Sequence, residues 1–186
     1  MADELTFAFD AGDDKGTYEL IAPDTYELVA DKAEIKTSTS GVEYISLQWT
    51  IRGDIPDGNA NQKKFAGRKV FDSIFKARDG SYGFDARNPR FRTLVGVLLS
   101  PSEKSKSFGS LDDILDFITG NYAQGVVAIY SKSKKAEVTL EEAPKYVDSR
   151  NEIRWYRRTK HGAKTLGGTA PTPVTPADVS DDDLPF

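Results

Sequence analysis

The segment Arg150-Asn151-Glu152-Ile153-Arg154-Trp155-Tyr156-Arg157-Arg158-Thr159-Lys160 sets four arginines and a lysine around a Trp-Tyr pair. Cations along a strand can contact phosphates, and an exposed aromatic face can stack on a base for about 1–3 kcal/mol each. Strand alternation places Arg154, Tyr156 and Arg158 on one face and Ile153, Trp155 and Arg157 on the other. One face must pack. Ile153 and Trp155 are assigned to the core, and Arg154, Tyr156 and Arg158 to the open side. Trp155 and Lys160 stay in the candidate set. The competing reading has both rings packed and the arginines solvating an edge strand.

The same pairing of rings and cations recurs upstream. In Val42–Arg52, Ile45, Leu47, Trp49 and Ile51 form an apolar face. The other face carries Tyr44, Gln48 and Arg52, a ring with a cation at strand spacing. Trp49 belongs with the core. Arg68, Lys69 and Phe71 repeat the theme on a third strand, with Lys63 and Lys64 at its entry. Lys132, Lys134 and Lys135 follow a fourth strand, where a loop could clamp a backbone. A single lysine is ordinary solvated surface. As a set, these residues fit a polyanion held through counterion release.

A second kind of chemistry lies at Asp181-Asp182-Asp183-Leu184-Pro185-Phe186. Phe186 suits a small apolar pocket, its carboxylate suits an Arg or Lys, and Pro185 lowers the entropy lost on docking. The three aspartates would steer the tip toward a basic rim. A merely solubilising tail has no physical reason to finish in Leu-Pro-Phe.

Catalytic chemistry finds little support. The chain has no cysteine and one histidine, His161, in the region expected to be linker. A thiolate site, a zinc centre or a His-based triad is therefore not expected. Asp112, Asp113 and Asp116 sit at a spacing suited to a solvated helix face, and Glu141-Glu142 is an isolated pair. A phosphate loop of Walker type is missing. A non-enzymatic protein without cofactor is expected. A nuclease using acids from separate strands stays open.

The net charge of −4 hides a division. Residues 1–14 carry five acids and residues 171–186 carry four, neither with a base. All 25 Lys and Arg thus lie in residues 15–170, with the remaining 20 of the 29 acids. A body of net +5 suits a polyanion. The length suits one folded domain plus a tail. The start of the sequence lacks a signal-peptide pattern, and no apolar run reaches membrane length, so a cytoplasmic setting is expected.

The elements that must position these residues follow from periodicity. Residues 1–15 read as an irregular arm. Strands are expected over Thr25–Thr37, Val42–Arg52, Phe65 to about Ile74, Val126–Tyr130 and Glu152–Arg158. Gly53–Asn61 reads as a polar loop. Asn88-Pro89 opens a helix whose stripe is Phe91, Leu94, Val95, Leu98 and Leu99. Ser110 with Asp113 opens a second, closed by Gly120. Residues 136–149 fit either a long loop or a hairpin extension. From about Lys160 the composition is that of a flexible linker, whose roughly 18 residues give a reach of about 23 Å. The expected fold is mainly β: an OB-fold-like five-stranded barrel with a helical insertion between strands 3 and 4. It would span residues 1–160, with residues 161–186 a disordered acidic tail. A small α+β sandwich shares that element order.

The tip Asp181–Phe186 resembles that of bacterial single-stranded DNA-binding proteins, with Leu184 in the apolar slot. Residues from about Thr17 to Arg158 are similar to a phage family described only as a domain of unknown function, found near recombination and replication genes. The resemblance rests on Tyr26-Glu27-Leu28-Val29, Ala33-Glu34-Ile35-Lys36, Ser40-Gly41, Leu47-Gln48-Trp49-Thr50-Ile51, Gly67-Arg68 and Arg150-Asn151-Glu152-Ile153. It implies a phage single-stranded DNA-binding protein that coats DNA in a bacterial host. Its tip would recruit host or phage replication, recombination and repair proteins. A protein-interaction adaptor acting on a recombinase or nuclease is the alternative. Self-association, site size and the identity of partners are left open.

Overall fold

In the computed structural model the described residues are 19–99 and 106–162. The arm expected over residues 1–15 and the linker and tip beyond residue 162 lie outside them. The described residues form a mainly β fold: one six-stranded, antiparallel, open sheet with few helices. The strands are β1 (Asp24–Thr37), β2 (Glu43–Ile51), β3 (Lys69–Phe75), β4 (Tyr122–Ser131), β5 (Ala136–Val138) and β6 (Ser149–Arg158). The helices are α1 (Ala60–Lys64), α2 (Pro89–Leu98) and α3 (Leu111–Ile118). None of these helices is long and apolar enough to cross a membrane.

β1 is long enough to serve two neighbours. Asp24–Val29 pair with β4, while Leu28–Thr37 pair with β2, and the register shifts at Asp31. A bulge there bends the strand and increases its twist. β2 has the clean alternation of a sheet with one packed face: Ile45, Leu47, Trp49 and Ile51 are fully buried. β3 pairs with the far side of β2, and β6 with the far side of β4. β3 and β6 are thus the two ends of the main run, and β5 is a short addition to β4. Gly125 in β4 is required by close approach, since a Cβ there would stand 2.4 Å from Leu28 Cδ1.

The starts of α2 and α3 follow local chemistry. Asn88 and Ser110 accept hydrogen bonds from Phe91 N and Asp113 N, satisfying exposed helical donors. Pro89 stands at the first turn of α2. Phe91, Leu94 and Leu98 of α2, with Leu115 and Ile118 of α3, join the core formed by β1–β4 and β6. Gly120 then turns in the left-handed region, and its N–H returns to Ala30 O at 2.7 Å.

Some expected elements differ. The loop and early third strand are replaced around residue 62 by α1. Asn59 caps it, and buried Gln62 bonds Glu27 N, Glu27 O and Arg52 O. A glutamine amide thereby bonds three backbone groups where β1 leaves the end of β2, and one of them, Glu27 O, also accepts from Arg52 N at 2.9 Å. The fourth strand starts at Tyr122, four residues before the apolar run. Residues 136–149 contain β5 and a 3-10 turn at Ala143–Lys145. There are accordingly six strands among the described residues, where five were expected.

Candidate nucleic-acid interface

Cross-strand register brings the ring-and-cation positions of β2 and β3 together. Tyr44 pairs with Phe75, Gln48 with Phe71 and Thr50 with Lys69. All six alternate away from the buried residues of their strands. β1 extends the same face, with Lys36 opposite Tyr44 and Lys32 opposite Gln48. Phe71 is 58% exposed and Phe75 48%, unusual for phenylalanine on a sheet. Tyr44 stacks on Phe75 with ring centroids 4.9 Å apart. The face is therefore a platform of three rings edged by lysines.

Beside it, between β3 and β6, runs a groove of about 590 Å³. Phe71, Phe75 and Lys69 line one wall, Arg150 and Glu152 the other, and Arg90 of α2 lies between. The groove exists because β3 and β6 approach without pairing as strands. Side chains bridge them instead. Tyr156 Oη donates to Asp72 Oδ2 at 2.5 Å, and Arg90 Nη2 donates to Asp72 Oδ1 and to Ile153 O. Partial burial works against the Arg90 charge, but Asp72 beside it more than compensates and holds its pKa above the ordinary value.

The electrostatics are mixed. Lys69 pairs with Asp31 at 2.8 Å, Arg90 with Asp72 at 2.6 Å and Arg150 with Glu152 at 2.7 Å. Lys32 and Lys36 share Glu34. Burial pushes the Asp31 carboxyl upward, yet hydrogen bonds from Lys69, Thr50 and Gln48 outweigh it and leave the pKa lowered. The exposed pairs among these are worth at most about 1 kcal/mol and exchange readily for a phosphate, whereas Asp72 beside Arg90 is nearly buried.

Several expected positions are corrected. Tyr156 does not face outward: it is 6% exposed, its hydroxyl accepts from Trp49 Nε1, and burial followed by Asp72 raises its pKa well above the ordinary value. Trp155 does not face the core: it is 69% exposed. The cause is a register shift in the β4–β6 ladder, where Val126 opposes Trp155 and Val127 opposes Ile153. Arg154 is the extra residue of that bulge, and every side chain after it changes face. Arg52 is also corrected. It is 4% exposed, forked onto Asp54, stacked on the Tyr122 ring and bonded to the carbonyls of His161 and Gly162. Arg158 is spent on the carbonyls of Gly96 in α2 and of Leu99 just after it.

The remaining candidates scatter. Arg154 pairs with Glu137, Lys64 with Glu19, and Arg68 donates to Glu19 O. Lys134 pairs with Glu142 in the exposed β4–β5 turn, where Lys132 and Lys135 form no ion pair among the described residues. Lys63 and Lys160 are exposed and likewise without an ion pair among those residues. Asp181, Asp182, Asp183, Leu184, Pro185 and Phe186 lie outside the described residues. Sequence reasoning missed Phe75, Arg90, Lys32 and Lys36. The Phe71/Phe75 spacing was a usable signal, but Arg90, in the first turn of a helix, gave none. No group of three or more His, Cys, Asp or Glu among the described residues could hold a metal ion. No protein-family model and no curated protein matches the chain.

Proposed function

We propose that this protein binds single-stranded DNA and is not an enzyme. The observation that carries the reading is the outward row of Tyr44, Phe71 and Phe75 beside Lys36 and Lys69 on adjacent strands. Rings at this spacing can each stack on a base without reading its edges, while lysines take phosphates. The strand order, with β1 shared between β2 and β4 and helices inserted before β4, supports an OB-type barrel whose last seam is bridged by Tyr156, Asp72 and Arg90. The resemblance of the sequence to phage proteins supports a role in coating DNA during replication and recombination in the bacterial cytoplasm. The acidic tip at Asp181–Phe186 would recruit partner proteins.

A second reading, an adaptor for a recombinase or nuclease, draws on the ion pairs that occupy Lys69, Arg90 and Arg150. Gel shifts on oligo-dT and on duplex DNA separate the two. Retention of oligo-dT with little retention of duplex is expected, weakening steeply with salt. A protein that shifts neither at low ionic strength is not a DNA-binding protein.

A further inference from the structure

β6 and the first half of α2 enclose a second cleft of about 320 Å³, lined by Pro89, Arg90, Thr93, Arg154, Trp155 and Tyr156. Trp155 is the more exposed of the chain's two tryptophans, and it is exposed for a structural reason. Regular alternation after Ile153 would have sent it inward. The bulge at Arg154 turns it out and gives the inward place to Tyr156. Exposing most of an indole ring forgoes a large part of its burial energy, and bulges commonly re-aim a side chain at a working surface.

The charge of this cleft differs from that of its neighbour. The β3–β6 groove contains Asp72 and Glu152, but the second cleft is lined by two arginines and no acid. Arg157, two residues from Trp155 and on the same side of β6, is exposed and forms no ion pair among the described residues. Arg90 lines both clefts. Its two hydrogen bonds among the described residues both use Nη2, and its Nε is buried without a partner. The buried Nε faces no solvent, so the donor capacity left over at the wall between them is that of Nη1. Arg90 and Arg154 are paired with Asp72 and Glu137, but a flat ring beside Arg157, an exposed cation without an ion pair among the described residues, fits a planar base joined to a phosphate.

We propose that the Trp155 cleft is a second nucleotide subsite, where one base of a single strand stacks on the indole and Arg157 meets an adjoining phosphate. This rests on the single-strand reading above. It extends the path of the strand from the β3 platform past Arg90 onto the outer face of β6.

The test uses the full chain, 5′-labelled oligo-dT and two readouts. Label anisotropy measures binding wherever it occurs. Tryptophan emission reports the cleft, because Trp49 is fully buried and Trp155 is not. Oligo-dT should quench the exposed component. In W155A the quench should vanish and affinity should fall roughly 5- to 100-fold, the equivalent of one lost stack. The remaining Trp49 emission, unchanged in W155A, verifies the fold. R157Q should lower affinity and make the salt dependence shallower. Oligo-dT that binds while W155A retains full affinity, or while wild-type emission stays constant, overturns the subsite and leaves the β3 platform standing. No anisotropy change in the wild-type protein overturns both.

Discussion

Trp49 and Tyr156 meet inside the sheet, their ring centroids 5.4 Å apart and the indole Nε1 donating to the tyrosine hydroxyl at 3.1 Å. Trp49 is on β2 and Tyr156 on β6, with β1 and β4 between them in the hydrogen-bonded order. The contact requires the open sheet to curl around its core. Tyr156 then passes the connection on to Asp72, which Arg90 holds from α2. Three strands and one helix depend on a single phenol. Y156F keeps the ring but leaves Trp49 Nε1 without its acceptor and one Asp72 oxygen without a donor. A loss of about 2–3 kcal/mol is expected. Urea denaturation measures it, and a midpoint equal to wild type would contradict the bridge.

Alkaline pH should act on the same group. Tyr156 and Tyr26 both have pKa values raised above the ordinary 10.0, chiefly by burial and then by Asp72 and Asp24 respectively. Their folded-state pKa values exceed the unfolded ones, so their contribution to stability is complete below about pH 10. Above it the unfolded chain releases protons that the folded chain retains, and stability falls. The decline attributable to Tyr156 is about 1.4 kcal/mol per pH unit. Denaturation midpoints from pH 8 to pH 11 should stay level and then drop, with a shallower drop in Y156F.

Local chemistry made much of this fold readable and left the rest hidden. β2 was legible because one face is buried and the alternation is strict, while β1 was legible from its apolar residues although Tyr26, Glu27 and Leu28 are buried in succession. Asn88 and Ser110 were legible because a cap needs only neighbours three residues away. The bulge at Arg154 carries no mark, since the residue is neither glycine nor proline, and missing it reversed Trp155 and Tyr156. Arg52 looked like an open-face cation because the acceptors that bury it include the carbonyls of His161 and Gly162, more than a hundred residues distant. Lys69 looked available for the same reason, its partner Asp31 being 38 residues away. The ring platform itself was half legible: Tyr44, Gln48, Lys69 and Phe71 were foreseen, and register brought them side by side.

The platform should be separable from the core. Y44A and F71A remove exposed or half-buried rings, so folding should be little affected. Each should cost about 1–3 kcal/mol of single-strand affinity. The pair together should approach additivity, since these rings sit on different cross-strand pairs. Oligo-dT titration of the folded double variant decides the matter, and full retained affinity would move the binding face elsewhere.

The tip is expected to act on proteins and not on the DNA surface. The segment leading toward it is held at its root. Glu27 accepts from Thr159 Oγ1 and Lys160 N, while Arg52 donates to His161 O and Gly162 O. Removing Asp181–Phe186 leaves that root untouched. Oligo-dT affinity should stay the same or rise slightly, while pull-down of replication or recombination proteins is lost. A large loss of oligonucleotide affinity would reassign the tip.

Asp31 offers the sharpest electrostatic handle. Its carboxylate accepts from Lys69 Nζ, Thr50 Oγ1 and Gln48 Nε2, at the bulge of β1 and beside the ring platform. D31N keeps an acceptor for Thr50 and Gln48 and removes the charge that competes with phosphate for Lys69. If Lys69 lies along the DNA path, its release adds one phosphate contact. Affinity for oligo-dT should then rise several-fold at low salt, and the slope of log affinity against log salt should steepen by about 0.7. Asp31 has its pKa lowered in the fold, so its contribution to stability is present above the ordinary aspartate range and is lost only in acid. At neutral pH D31N forfeits that contribution, about 1 kcal/mol or less for so exposed a pair. A stronger, more salt-sensitive grip from a slightly weaker fold is a combination that an adaptor without DNA contacts would not show.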